Sequence, residues 1–395
     1  MSFSSQFPAL ASGFSVLDNA AGAQVPQQCI QGIVNFLSTA SCNVEAPYPG
    51  SQLATHIKKE SRVRTAEYLN CKPSEVIIGP SSTALAWIMS RAFSRMWGAG
   101  DEVIISELEH EADASPWRQL QQVGVTVKVW KARWDQGGRL EPADLEALVT
   151  PKTRLVAVCS AANSLGTAPD VAAAAEIAHR VGAWCLTDMV HYAPHHLPDV
   201  TATGVDIAFF SAYKVFGPHL AFAFIREEII PQLPTDKLWF MPDSGPYKFE
   251  PGTNNHECLA GWLGTLDYLR DHLGGGLEGR AGFVEAYRQI EALESPLVEY
   301  GLERLPQIEG LTLYGMPTPK GRVGTFAFNL KGQDPLKVAE RLGKVGVGVT
   351  AGHMYATMPI TALGLYPDGL VRASIAHYTT KADMDKLIAG LQGSD

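Results

Sequence analysis

Residues 205–225 read VDIAFFSAYKVFGPHLAFAFI, two apolar runs that enclose one lysine, Lys214. Residues 205–210 and 221–225 have the composition of buried strands. A lysine between two buried strands must be neutralised, paired or used, because an unpaired buried ammonium is very costly. Desolvation lowers the pKa of such an amine, and the neutral amine is the form that condenses with an aldehyde. A lysine snorkelling from a strand end is the plainer alternative.

Working outward, short β-rich runs alternate with amphipathic helical runs. Residues 75–79, 102–106, 125–130, 155–160 and 184–187 read as strands. Helices are expected from Ser81-Ser82 to Trp97, from Ser115-Pro116 onward, over 142–149 and over 171–181. This alternation implies βαβ crossovers and a mostly parallel α/β sheet. In such sheets ligands sit beyond the carboxyl ends of the strands. The residues that follow each strand are therefore the ones to read for chemistry.

Asp188 ends one strand, where a carboxylate can keep a pyridine nitrogen protonated; it can equally be a helix cap or a solvated loop residue. Ser81 and Ser82 open a helix after a strand, a natural phosphate cradle and also a common capping position. Asn163 and His110 follow two further strands, as turn former or ligand contact. Arg372 offers a fork for a carboxylate, or for a structural ion pair. Asp188, His191, His195 and His196 form a His-rich stretch, but Pro194 interrupts it and no HExxH occurs, so no metal site is assigned. A metal-dependent hydrolase using Asp188, His191 and His195 stays as a remote alternative. A cofactor-binding scaffold without catalysis is a third.

Beyond about residue 260 the pattern changes to helices over 259–273 and 283–305, strands at 325–330, 346–350 and 370–374, and a last helix over 381–391. This suggests a smaller α+β domain. A large domain over 16–270 is expected, with 1–15 and 271–395 forming the small one. Gly274 to Gly279 formally matches GxGxxG but follows a helix, so it reads as a linker. The 395 residues are 46% apolar and 18% charged, which excludes a largely disordered chain. The net charge of −9 has no basic run within it, which argues against a nucleic-acid binder. The six scattered cysteines include no CxxC pair, and residues 1–19 show no secretory pattern. Nor is there an apolar run long enough to span a membrane. A cytoplasmic protein with reduced thiols is the expectation.

Together these segments resemble the class V branch of fold-type I pyridoxal-phosphate enzymes, near the cysteine desulfurase and selenocysteine lyase group. Residues 17–23 (LDNAAGA) resemble its LDxAAxA segment, and Glu109-His110 its EH pair. Residues 151–167 (PKTRLVAVCSAANSLGT) resemble KTRL…SNxLGT, and 188–191 (DMVH) sit where the family has DGAQ. Residues 211–218 (SAYKVFGP) sit where the family has SGHKxxGP, 250–254 (EPGTN) resemble ExGTP, and 371–374 (VRAS) resemble xRAS. The resemblance implies pyridoxal 5′-phosphate held covalently by Lys214, which would also move the Cα proton. Asp188 would pair with the pyridine nitrogen, and His110 would stack on the ring. Asn163 and His191 would lie near the 3′ oxygen. Ser81, Ser82, Ser211 and Tyr213 would hold the phosphate. Thr253 would reach the site of a second subunit in a homodimer. Arg372 would bind the carboxylate of a small amino-acid substrate, with Ala21 and Tyr355 also contacting it.

The departures bear on the reaction. Where the family's desulfurases carry a loop cysteine in GHHCA, residues 352–356 read GHMYA, with Tyr355 in the cysteine's place. A phenol cannot accept sulfur as a persulfide. His191, Tyr213 and His219 are further replacements. The expected activity is therefore a cysteine or selenocysteine C–S(e) lyase acting by β-elimination, with a class V aminotransferase as the alternative.

Overall fold

A computed structural model describes residues 3–393. Its centre is a sheet of seven strands: β1 (Val76–Gly79), β2 (Glu102–Ser106), β3 (Thr126–Trp130), β4 (Thr153–Cys159), β5 (Trp184–Asp188), β6 (Ile207–Ser211) and β7 (Ala221–Ile225). They lie in the order β1-β7-β6-β5-β4-β2-β3. Strand β7 runs antiparallel to β1 and β6, and the other pairings are parallel. The chain is thus an α/β fold with a mostly parallel sheet, as expected.

Successive side chains of a strand point to opposite faces. Ile77, Ile105 and Phe209 enter one apolar cluster with Phe93 and Trp117, whereas Ile78, Ile104 and Phe210 enter another with Trp262. Burial on both faces is why these strands read as continuous apolar runs. It also leaves the strand ends as the place where polar side chains can sit.

Four more strands, β8 (Leu311–Tyr314), β9 (Thr325–Leu330), β10 (Thr350–Gly352) and β11 (Leu370–Ser374), form an antiparallel sheet in the order β10-β11-β9-β8. The chain start joins this sheet to the large one. Ser15–Val16 pairs with Val347–Gly348, and the Asn19 side chain donates to the Ser374 carbonyl at 2.9 Å. The next residues, Ala20 and Ala21, then lie over the carboxyl ends of the large sheet's strands.

Some elements differ from the expectation. Helices α1 (Gln27–Thr39) and α2 (Pro49–Leu69) were not foreseen, nor was β8. Helix α3 (Ser82–Phe93) ends four residues before Trp97. Helix α4 (Glu111–Arg118) begins ahead of Ser115-Pro116. Its cap is His110, whose Nδ1 accepts from the Ala112 N–H at 3.0 Å. Glu111 in its first turn suits the positive end of the helix dipole. Pro116 has no N–H to give the Ala112 carbonyl, and two residues later the helix gives way to a 3-10 turn, Gln119–Val123. The strand expected over 346–350 is two short strands, Val347–Gly348 and β10. Residues 1, 2, 394 and 395 of the expected small domain lie outside the described residues.

Candidate active site

The strand ends, the chain start and the loop after β10 enclose a cavity of about 870 Å³. Lys214 sits on the 3-10 turn Ala212–Lys214 directly after β6. Its ammonium donates to the carbonyls of Ala20 and Ala21, the latter at 2.7 Å, and lies 4.8 Å from the centre of the Tyr213 ring. Burial and the nearby Arg372 guanidinium lower its pKa to about 7, against the opposing pull of Asp18 and Asp188. An appreciable neutral fraction near pH 7 is what an amine needs to act as nucleophile or base.

Asp188 ends β5, buried, with one carboxylate oxygen accepting from the Val190 N–H at 2.7 Å. Burial raises its pKa to about 6, while that hydrogen bond and Lys214 favour the charged form. His110 caps α4 through Nδ1, so its proton resides on Nε2. Burial, with Lys214 nearby, lowers its pKa to about 4, leaving a neutral, flat ring on the cavity wall. Burial pushes His191 well below the usual imidazole range; its Nε2 meets the Thr325 hydroxyl at 2.9 Å.

The Ser82 and Ser211 hydroxyls meet at 2.8 Å, at the N-terminus of α3 and the end of β6. Ser81 is placed differently. Its hydroxyl accepts from the Ala84 N–H at 3.1 Å as the helix cap, and it is not among the cavity-lining residues. Tyr213 lines the cavity with its ring stacked on His219, centres 4.7 Å apart. Arg372 on β11 donates to the Asn163 carbonyl at 2.9 Å and to Asp18 at 3.4 Å; its Nε is buried without a partner, as is the Asn163 side-chain oxygen. Ala21 and Tyr355 also line the cavity. Thr253 is exposed and is not among the cavity-lining residues.

These groups fit a planar, anionic pyridine cofactor. A hydroxyl pair at a helix N-terminus suits a phosphate. A buried carboxylate suits a ring nitrogen, a neutral imidazole suits the ring face, and a depressed lysine suits an aldehyde. The unpartnered polar atoms of Asn163 and Arg372 leave valences for a ligand. The His191 and His195 rings lie edge to face, centres 5.7 Å apart, but their nitrogens are engaged separately: His191 Nε2 meets the Thr325 hydroxyl and His195 Nδ1 pairs with Glu294 at 2.7 Å. Among the described residues no three His, Cys, Asp or Glu side chains gather as a metal cluster.

Several neighbours were not singled out from sequence. Thr83, Trp87, Glu111, Thr350 and His353 line the cavity. So does Cys159, the one cysteine among the lining residues. Burial raises its thiol well above the ordinary value, and the carboxyl groups of Glu109, Asp188 and Asp113 push it further. Glu109, two residues ahead of α4, and Asp113, in its first turn, are both buried, and the Asp188 charge acts on each. Each has one carboxyl oxygen without a partner in the hydrogen-bond network.

Comparison with known proteins agrees with this geometry. The family description Aminotransferase class-V matches residues 15–387. The aminotransferase-like protein FGM3 of Gibberella zeae is 31% identical, over 98% of this chain and 96% of that one. A cysteine desulfurase of Yersinia pseudotuberculosis is 32% identical, over 95% of this chain and 92% of that one. Among solved structures, the apo cysteine desulfurase of Thermococcus onnurineus superposes with a TM-score of 0.90 at 24% identity, covering 100% of this chain and 98% of the other. The Escherichia coli cysteine desulfurase CsdA gives 0.86 at 25% identity, covering 99% and 97%. The chain belongs to the class V aminotransferase family, in its cysteine desulfurase-like branch, and is a pyridoxal-phosphate-dependent enzyme.

Proposed function

We propose that the protein is a lyase that eliminates the β-substituent of a small sulfur- or selenium-bearing L-amino acid without a nucleophilic cysteine. The observation that carries this reading is the pairing of a near-neutral Lys214 with a cavity whose one lining cysteine is held as the thiol. The loop position of the family's sulfur acceptor is occupied by Tyr355. Bound pyridoxal phosphate supplies the electron sink that makes the Cα proton acidic.

The residues divide the remaining work. Arg372 orients the substrate carboxylate, with Asn163 fixed beside it. Neutral Lys214 takes the Cα proton. Asp188 holds a proton at the ring nitrogen. His110 keeps the ring plane in place. Departure of sulfur with its bonding pair then needs only a proton. Returning the Lys214 proton to the cofactor carbon instead would give amino transfer. The aminotransferase-like relative at 31% identity keeps that second reading in play.

The working unit we propose is a cytoplasmic homodimer, with a large domain over 16–270 and a small one over 271–395 joined by 1–15. Helix α1 supports it with the exposed apolar stripe Ile30, Val34 and Leu37, and the segment before Thr253 exposes Trp239 and Phe240. All six cysteines are free, and no described helix is long and apolar enough to cross a membrane. The test of function assays L-cysteine, L-cystine and L-alanine separately for sulfide, pyruvate and amino transfer to a keto acid. Turnover of alanine with a keto acid, and none of cysteine, would replace the lyase by the aminotransferase.

A further inference from the structure

Residues 353–357 close one side of the cavity with a turn that the backbone resists. Met354 and Tyr355 are consecutive residues with φ of 53° and 54°, the left-handed region that residues bearing a Cβ avoid. Such a conformation persists where surrounding contacts over-determine it, and it concentrates at ligand clamps. Here three tethers come from the loops beyond β2 and β4. The Asn163 amide donates to the Met354 carbonyl at 2.8 Å. The Glu111 N–H donates to the Tyr355 carbonyl at 2.7 Å. The Thr357 hydroxyl donates to the Glu111 carboxylate. Met354 and Ala356 are buried, so Tyr355, 67% exposed, is the side chain the turn presents. Its ring centre stands 5.7 Å from that of His110.

The charges around the rim limit what can reach it. The lining cations are Lys214 and Arg372, while His110 and His191 are held neutral by burial. His353 uses Nδ1 as an acceptor for the Tyr355 N–H. The rim carboxylate, Glu111, is already engaged by Ser115, Thr357 and Arg118. With Arg372 on the α-carboxylate and Lys214 at the reacting carbon, a second substrate carboxylate would meet Glu111 and no free cation. An apolar group would instead pack on Tyr355, His110 and Trp87.

We propose that this turn is a fixed rim selecting L-cysteine derivatives that carry an uncharged, apolar substituent on sulfur, read by the face of Tyr355. The proposal rests on the cavity being the amino-acid site assigned above. The net reaction is RS–CH2–CH(NH3+)–COO− plus water giving RSH, pyruvate and ammonium. The C–S bond breaks with its electron pair on sulfur, sulfur takes a proton, and water replaces the nitrogen.

The test separates selection from chemistry. The holoenzyme is titrated calorimetrically with L-norleucine and L-2-aminoadipate, which copy S-ethyl- and S-carboxymethyl-L-cysteine in shape but have no β-leaving group. L-Norleucine is expected to bind more tightly, and Tyr355→Ala to shrink that preference about tenfold, the scale of one lost apolar contact, while Tyr355→Phe retains it. Equal binding of the two amino acids, or an unchanged preference in Tyr355→Ala, overturns the rim. In parallel, S-ethyl-L-cysteine should release ethanethiol and pyruvate in equal amounts. The expected binding order without ethanethiol overturns the proposed lyase function and leaves the rim's selection standing.

Discussion

Replacing Asp113 by asparagine should flatten the pH dependence of the apoprotein's stability. Glu109 and Asp113 are fully buried, and each has one oxygen already satisfied: Glu109 by Ser106 and the Cys159 N–H, Asp113 by the Trp117 ring N–H. The two remaining oxygens have no donor, and each carboxyl acts on the other's titration. A proton between them satisfies both. Burial accordingly pushes Glu109 from 4.5 to about 8 and raises Asp113 as well, with the Asp188 charge adding to both. Between the unfolded carboxyl value and about pH 8 the folded chain therefore holds at least one proton that the unfolded chain has released. Stability is fully present below the unfolded pKa and falls as pH rises through the folded one. Each pH unit costs about 1.4 kcal/mol, so the step from pH 6 to 8 costs roughly 3 kcal/mol. In a protein of this size that is on the order of 4 °C in Tm. The asparagine amide is a permanent donor to Glu109 and needs no proton. Lys214, whose folded pKa is lowered to about 7, works the other way: from about pH 7 up to the unfolded lysine value the unfolded chain holds a proton that the folded chain lacks, so this contribution to stability rises with pH. It is common to both proteins and cancels in the difference. Thermal melts of apoprotein from pH 6 to 8 should thus show a fall in the wild type that is smaller in Asp113→Asn by that amount. Parallel curves for the two proteins would refute the shared proton.

Three substitutions probe the site directly. Lys214→Ala should abolish the visible band of the lysine-bound cofactor and lower turnover by at least 10²–10⁴-fold, the usual worth of a general base, read by absorbance and steady-state rates. Arg372→Lys keeps the charge but loses the fork; it should lower kcat/KM about tenfold to a hundredfold, chiefly through KM. Ser81→Ala should cost about 1 kcal/mol of stability as a lost helix cap, with cofactor affinity kept, whereas Ser82→Ala should weaken cofactor binding measured by fluorescence titration.

The large sheet was legible because its strands are buried on both faces, so their apolar runs stand out without periodicity. Lys214, Asp188 and Asn163 were legible as polar residues at strand ends. Helix α2 was not, because its buried face carries Ser51, Ser61, Arg62 and Thr65, and no apolar stripe marks it. Ser81 and Ser82 are equivalent in sequence; the phase of the first helical turn makes one a cap and turns the other to Ser211. The Glu109 and Asp113 pair depends on α4 starting at Glu111, which Pro116 obscured. The strain at Met354 and Tyr355 is a tertiary effect of three tethers, and no local pattern announces it.

The carbon product formed from L-cysteine tests the central claim most directly. Transfer of the substrate sulfur to a protein thiol leaves alanine, whereas elimination of the thiolate leaves pyruvate and ammonium. The account predicts one pyruvate per sulfide, with the same yield after Cys159→Ala. Alanine as the product, with sulfur retained on the protein, would contradict it.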